Sequence, residues 1–218
     1  MKIAIVGGTG DLGFGLALRL SKHYNIIIGS RKEEKAKKAA EEVKKLVKDA
    51  KVEGKGNIEA VKEADVIILS VPYEYVLSTL KDLKEYLKNK IVVSVVVPLS
   101  TVIGDSPEKP LFPYDGSVAE MIQNYLKDSK VVGAFQNISY KSLRDLDNKV
   151  DADVLVCGDD EEAKKIVIEI ANKIDGVRGI DAGKLEMSRI VEGLTPLLIG
   201  INKRYKSECS IKISNLKI

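Results

Sequence analysis

Lys2-Ile3-Ala4-Ile5-Val6-Gly7-Gly8-Thr9-Gly10-Asp11-Leu12-Gly13 opens the chain, and one helix-length later stands Asn25-Ile26-Ile27-Ile28-Gly29-Ser30-Arg31. The first five residues form a short apolar run bounded by glycine, the pattern of a buried strand. Leu12, Leu16, Ala17 and Leu20 then recur at helical spacing, so Gly8-x-Gly10-x-x-Gly13 lies at a strand-to-helix turn. In that context each glycine has a task. Gly8 permits the tight turn, Gly10 lets the backbone approach a pyrophosphate, and Gly13 lets the helix pack closely on the strand. The free N–H groups of the helix N-terminus face the phosphates.

The second strand selects the dinucleotide. Where an NAD site usually has Asp or Glu for the ribose hydroxyls, this chain has Ser30-Arg31-Lys32. A carboxylate there repels the additional phosphate of NADP, whereas a guanidinium grips it bidentately and a serine hydroxyl donates to it. Lys35 lies one helical turn beyond Arg31 and faces the same place. Lys32 reads instead as the start of a solvated helix running from Lys32 to Ala50.

Apolar runs and helical patterns alternate through most of the 218 residues. This predicts an α/β fold, a Rossmann-type doubly wound and mostly parallel sheet with a small C-terminal α/β extension. Strands are expected at Val66–Val71 and Ile91–Val97, each ended by proline, and at Val131–Phe135, Asp153–Gly158 and Val177–Ile180. Helices are expected at Val76–Leu87, Val118–Lys127, Asp159–Ile174 and Lys184–Arg204, the last kinked by Pro196. Pro98, Pro107, Pro110 and Pro113 mark a long irregular loop reaching Gly116, the kind of segment that serves as a lid or binding loop. A boundary between residues 140 and 152 divides a nucleotide-binding part, 1–148, from a C-terminal part, 149–218.

Composition narrows the function. The 35 basic and 32 acidic residues leave a net charge of only +3. With the charges interspersed, no nucleic acid or membrane partner is expected. No apolar run has the length of a membrane span and the opening residues read as a strand, so a cytoplasmic location is expected. Cys157 reads as a core residue, and with Cys209 as the other cysteine no disulfide framework is expected. His23, the single histidine, falls at the far end of the first helix from the glycine turn and reads as a surface residue. Neither a metal set nor a Ser-His-Asp arrangement is present. Tyr73, Tyr75 and Tyr140 are available as proton donors, yet none stands in a pairing that assigns it the role. A chain complete in dinucleotide features and poor in acid–base groups suits hydride exchange between two cofactors, where the protein's task is to stack two rings.

Gly7–Gly13, Gly29-Ser30-Arg31-Lys32-Glu33-Glu34-Lys35, Val156-Cys157-Gly158-Asp159-Asp160, Ile174-Asp175-Gly176, Asp181-Ala182-Gly183 and Glu192-Gly193-Leu194-Thr195-Pro196-Leu197 together resemble the deazaflavin-dependent NADP reductases of archaea and some bacteria. The resemblance extends over nearly the whole chain and implies reversible hydride transfer between NADP(H) and coenzyme F420, with no catalytic protein acid. It implies cofactor contacts along the turn at Gly8, Thr9, Gly10, Asp11, Leu12 and Gly13. It further implies that Thr9, Ser30, Arg31 and Lys35 hold the adenosine phosphate, and that Val71, Tyr75 and Leu99 border the nicotinamide half. Gln136, Ile138 and Tyr140 would shape the ring-stacking pocket, with the tail around Cys209 reaching it. Gln136 stands where a compared member of the family has histidine. Two other readings share the nucleotide half: an NADPH-dependent reductase of a small imino or keto acid, and a non-enzymatic NADPH sensor. A homodimer is expected from the apolar residues Leu194, Leu197, Leu198, Ile199 and Ile201 of the last helix.

Overall fold

Ile3, Ile5, Ile26 and Ile28 are fully or almost fully buried, because the strands that carry them have helices on both sides. In the computed structural model, which describes residues 1–217, they belong to β1 (Lys2–Val6) and β2 (Asn25–Ser30). Around these run β3 (Val52–Gly56), β4 (Val66–Leu69), β5 (Ile91–Ser94), β6 (Lys130–Gly133), β7 (Ala152–Gly158) and β8 (Val177–Asp181). The sheet order is β3-β2-β1-β4-β5-β6-β7-β8. All neighbours pair in parallel except β6 and β7, which meet antiparallel through Val132–Gly158 and Gly133–Cys157. β1 lies between β2 and β4, so the winding reverses beside it and opens a crevice at the carboxyl ends of β1 and β4.

Helices cover both faces. On one side α1 (Asp11–Leu20), α2 (Glu33–Leu46) and α7 (Glu161–Asn172) bury Leu16, Val43 and Ile170. On the other, α3 (Asn57–Glu63), α4 (Val76–Leu87) and α5 (Val118–Tyr125) bury Val61, Leu80 and Ile122. The short α6 (Tyr140–Arg144) packs beside α1, and α8 (Ser188–Tyr205) closes the chain after a turn of 3-10 helix at Leu185–Met187.

Several element edges differ from the sequence expectation. β3 and α3 carry little apolar signal: in Val-Glu-Gly-Lys-Gly only Val52 is buried, because β3 is an edge strand. α2 ends at Leu46 instead of Ala50, and Asp49 takes a left-handed φ of 61° before β3 begins. β4 and β5 stop at Leu69 and Ser94, short of their prolines, because the ladders between β4, β5 and β6 end at Leu69, Ser94 and Gly133. The apolar residues beyond, Val71 and Val95 to Val97, are thereby released to line a cleft. α8 runs on through Pro196.

Candidate functional site

The turn between β1 and α1 is shaped by what cannot fit there. Gly7 has φ +79°, and a Cβ on it would lie 2.4 Å from the Ser70 carbonyl oxygen. A Cβ on Gly13 would stand 2.8 Å from the Gly8 Cα, so α1 sits directly on the turn. At Gly10 the nearest protein atom to a Cβ is 3.4 Å away. Its outer side is open to solvent space, where a bound phosphate needs room. Gly10 is the N-cap of α1 with no side-chain cap, leaving the first N–H groups of the helix available to an anion.

Above this turn lies a cleft of about 550 Å³ lined by Thr9, Gly10, Ser30, Arg31, Lys32 and Lys35, and on its far wall by Asn57, Val71, Tyr75 and Thr79. β2 carries Ser30 to the rim, where it is buried, and leaves Arg31 exposed. Lys37 pairs with Glu33 and Lys44 with Glu41 on the adjoining helix. Among the described residues Arg31 and Lys35 form no such pair. Lys32, expected only as the start of a solvated helix, lines the same cleft and is likewise unpaired among the described residues, so three uncommitted cations beside a helix N-terminus form a site for a multiply charged anion.

A second cleft, of about 390 Å³, shares Gly10, Ser70, Val71 and Pro72 with the first and is mostly apolar. Asp11 and Leu12 form its edge, Val95 to Val97 and Leu99 one wall, and Ile138, Tyr140 and Thr195 the opposite one. Gln136 sits at its base. Phe135, fully buried at a left-handed φ of 68°, turns the chain there. The Gln136 Nε2 donates to the Ser94 carbonyl at 3.2 Å, and Thr195 Oγ1 donates to the Gln136 carbonyl at 2.8 Å. The Gln136 Oε1 is buried without a partner among the described residues.

Of the residues expected at the cofactors, Thr9, Gly10, Ser30, Arg31, Lys35, Val71 and Tyr75 thus meet in the first cleft. Gly10, Asp11, Leu12, Val71, Leu99, Gln136, Ile138 and Tyr140 meet in the second. Gly8 and Gly13 lie beneath them in the turn. Two positions differ from expectation. Tyr75, read as bordering the nicotinamide half with Val71 and Leu99, faces Arg31 instead, the guanidinium carbon 5.1 Å from its ring centroid. Cys209 lines neither cleft: its N–H donates to Asn202 Oδ1, while Glu208 is held by Ser139 and Lys141. The sequence reading did not mark Asn57 and Thr79, whose elements place them on the cleft wall without any motif.

The titratable groups are few. His23 is exposed between α1 and β2, at the opposite end of the strands from both clefts. Tyr73 lines the apolar cleft with its phenol pushed up by burial and by the charges of Glu192 and Asp115, so it stays protonated at neutral pH. Burial pushes the Cys157 thiol up to about 11, an inert core group. Glu192 is 3% exposed, and burial pushes its carboxyl up to about 7, against the N–H groups of Val118 and Ala119 that donate to its two oxygens at 2.8 and 3.0 Å. It thereby caps α5 from α8. The described residues contain no cluster of His, Cys, Asp or Glu able to hold a metal ion.

Residues 2–98 match the family model described as NADP oxidoreductase, coenzyme F420-dependent. The chain is 64% identical to an F420-dependent NADP reductase of Methanocaldococcus jannaschii over the full length of both. It is 44% identical to one of Methanothermobacter marburgensis, over 99% of each chain. A solved structure described as a putative F420-dependent NADP reductase of Arthrobacter superposes over 99% of this chain and 100% of its own with a TM-score of 0.84, at 24% identity. At that identity the likeness concerns the fold.

Proposed function

The chain belongs to the coenzyme F420-dependent NADP oxidoreductases, and from that premise we propose that it catalyses reversible hydride transfer between NADP(H) and coenzyme F420, with NADP(H) in the polar cleft and the deazaflavin in the apolar one. The observation that carries this assignment is the seam of Gly10, Ser70, Val71 and Pro72 common to both clefts. A nucleotide anchored at Arg31 and the glycine turn would extend across that seam and present its nicotinamide to a ring lying on Val95 to Val97 and Leu99. When bound, the two coenzymes supply the chemistry: a hydride moves from C4 of the reduced nicotinamide to C5 of the deazaflavin, or back.

The residues of this chain then have four tasks. Arg31, Lys35, Ser30 and Thr9 bind the adenosine phosphate, and the N–H groups of α1 bind the pyrophosphate. The apolar walls bring the rings together and keep water from the hydride. Gln136, whose Nε2 donates to the Ser94 carbonyl and whose backbone carbonyl accepts from Thr195, lines the deazaflavin cleft at the position where a compared family member has histidine. Thr195 of α8 closes that cleft. No protein acid is assigned a step in this transfer.

We propose in addition that two copies associate through the outer face of α8. Ile190 and Leu197 are exposed on α8, and Ile103, Phe112 and Tyr114 are exposed on the proline-bearing loop. Glu108 of that loop pairs with Lys203 of α8. Among the described residues no helix is long and apolar enough to cross a membrane.

The test is absorbance at the oxidised deazaflavin band after mixing protein, NADPH and coenzyme F420. Rapid bleaching with NADPH, and none with NADH or with a flavin in place of the deazaflavin, is the expected result. Sound NADPH binding without bleaching would overturn the proposal.

A further inference from the structure

Arg31 is the cation that the proposed function assigns to the NADP phosphate, yet on its own it is poorly suited to wait there. It stands exposed at the end of β2 on a long flexible side chain, and holding such a chain in one rotamer costs entropy whenever a ligand binds. Among the described residues the other arginines rest on oxygen acceptors: Arg144, Arg178, Arg189 and Arg204 pair with carboxylates, and Arg19 donates to backbone carbonyls. Arg144, for example, stacks on Phe14 and also pairs with Asp11 at 2.9 Å. Among the described residues Arg31 forms no ion pair and rests on the face of Tyr75, 5.1 Å from ring centroid to guanidinium carbon.

That difference has a chemical reason. A guanidinium carries its five N–H donors in its plane and has none on its faces. A carboxylate partner would occupy the in-plane donors that a phosphate needs, and would repel the phosphate as well. An aromatic ring on the face steadies the group by the cation–π attraction and leaves every donor free. The backbone sets the ring in advance: after Pro72 the chain makes a 3-10 turn in which the Tyr75 N–H donates to the Pro72 carbonyl at 3.0 Å, and Ser78 Oγ donates to the Tyr75 carbonyl at 3.0 Å. Tyr75 then leads directly into α4, while Arg31 directly follows β2, so segments remote in sequence meet across the cleft mouth.

We propose that Tyr75 is a positioning residue for nucleotide selectivity, holding Arg31 by its ring face so that the guanidinium edge is presented to the adenosine phosphate of NADP(H). The inference rests on the assignment of the first cleft to NADP(H). The ring is the working part and the hydroxyl is dispensable. The effect passes through Arg31, so only a nucleotide bearing the additional phosphate reports it.

The experiment measures the dissociation constants of NADPH and NADH, by the fluorescence of the reduced nicotinamide, for the wild-type chain, Tyr75→Ala, Tyr75→Phe, Arg31→Ala and the Arg31→Ala/Tyr75→Ala double variant, each checked for an unchanged melting temperature. Tyr75→Ala is expected to weaken NADPH binding about two- to fivefold and to leave NADH binding unchanged. Tyr75→Phe restores the wild-type affinity, and in the Arg31→Ala background Tyr75→Ala has no further effect. Equal losses for both nucleotides, a failure of phenylalanine to rescue, or an undiminished effect in the Arg31→Ala background would overturn the inference. If the wild-type chain itself does not prefer NADPH, the assignment of the cleft fails and the inference with it. If it does prefer NADPH and Tyr75→Ala keeps the full preference, only the role of Tyr75 falls.

Discussion

At position 31 a guanidinium stands where NAD sites carry a carboxylate, and among the described residues it has no acidic partner. Its value is realised only when a phosphate arrives, so Arg31→Ala is expected to weaken NADP(H) binding by about 2 kcal/mol, the worth of one charge-assisted interaction, with little change for NAD(H). Parallel titration of both nucleotides checks this; equal losses would place the phosphate elsewhere. This residue was legible in the sequence because its register is fixed by the strand before it. Tyr75 was not: nothing in Pro-Tyr-Glu-Tyr says which way the ring turns. The 3-10 turn at Tyr73–Tyr75 and the position of β2 across the crevice decide it.

At the scale of elements, the joint between α5 and α8 depends on Glu192. Its carboxylate satisfies two N–H groups at the start of α5 from inside a nearly solvent-free site, with Glu120 adding repulsion and the Tyr73 phenol close by. Glu120 itself is engaged by Arg189. A carboxyl raised from 4.5 to about 7 in the folded chain favours folding most when protonated. Its contribution is fully present below pH 4.5 and is lost as the pH rises through 7, by up to about 3 kcal/mol. Melting temperatures between pH 4 and pH 8 are expected to fall in the wild-type chain more than in Glu192→Gln. Glu192→Gln is expected to lie close to the wild type in stability at low pH, where the neutral carboxyl, like the amide, presents one good acceptor oxygen to the two N–H groups. Parallel pH profiles for the two chains would show that Glu192 does not titrate in this window. The sequence displayed the helices joined here, through their apolar spacing, but not the contact. Val118 and Glu192 are separated by 74 positions, and a buried acid looks like any other Glu when read along the chain.

At the scale of the whole molecule, the exposed apolar residues of α8 and of the proline-bearing loop form one flank, and contiguous apolar surface of this kind usually finds a partner. Sedimentation at micromolar concentration is expected to report a dimer for the wild-type chain and a monomer for Leu197→Glu; a wild-type monomer would refute the association. The sequence by itself determined the alternation of strand and helix, the glycine turn after β1 and the basic end of β2, because each rests on local periodicity or on a turn that only certain residues can make. It left β3 and α3 unread, since an edge strand and a two-turn helix bury too little to leave a pattern. Only the tertiary structure decided that Val71 and Val95 to Val97 pass beyond the ends of their ladders to wall a cleft, that Tyr75 faces Arg31, that Cys209 lines neither cleft, and that Glu192 caps a distant helix. Those are contacts between elements remote in sequence, and the packing of the sheet and its two helical layers brings them together where no local preference could.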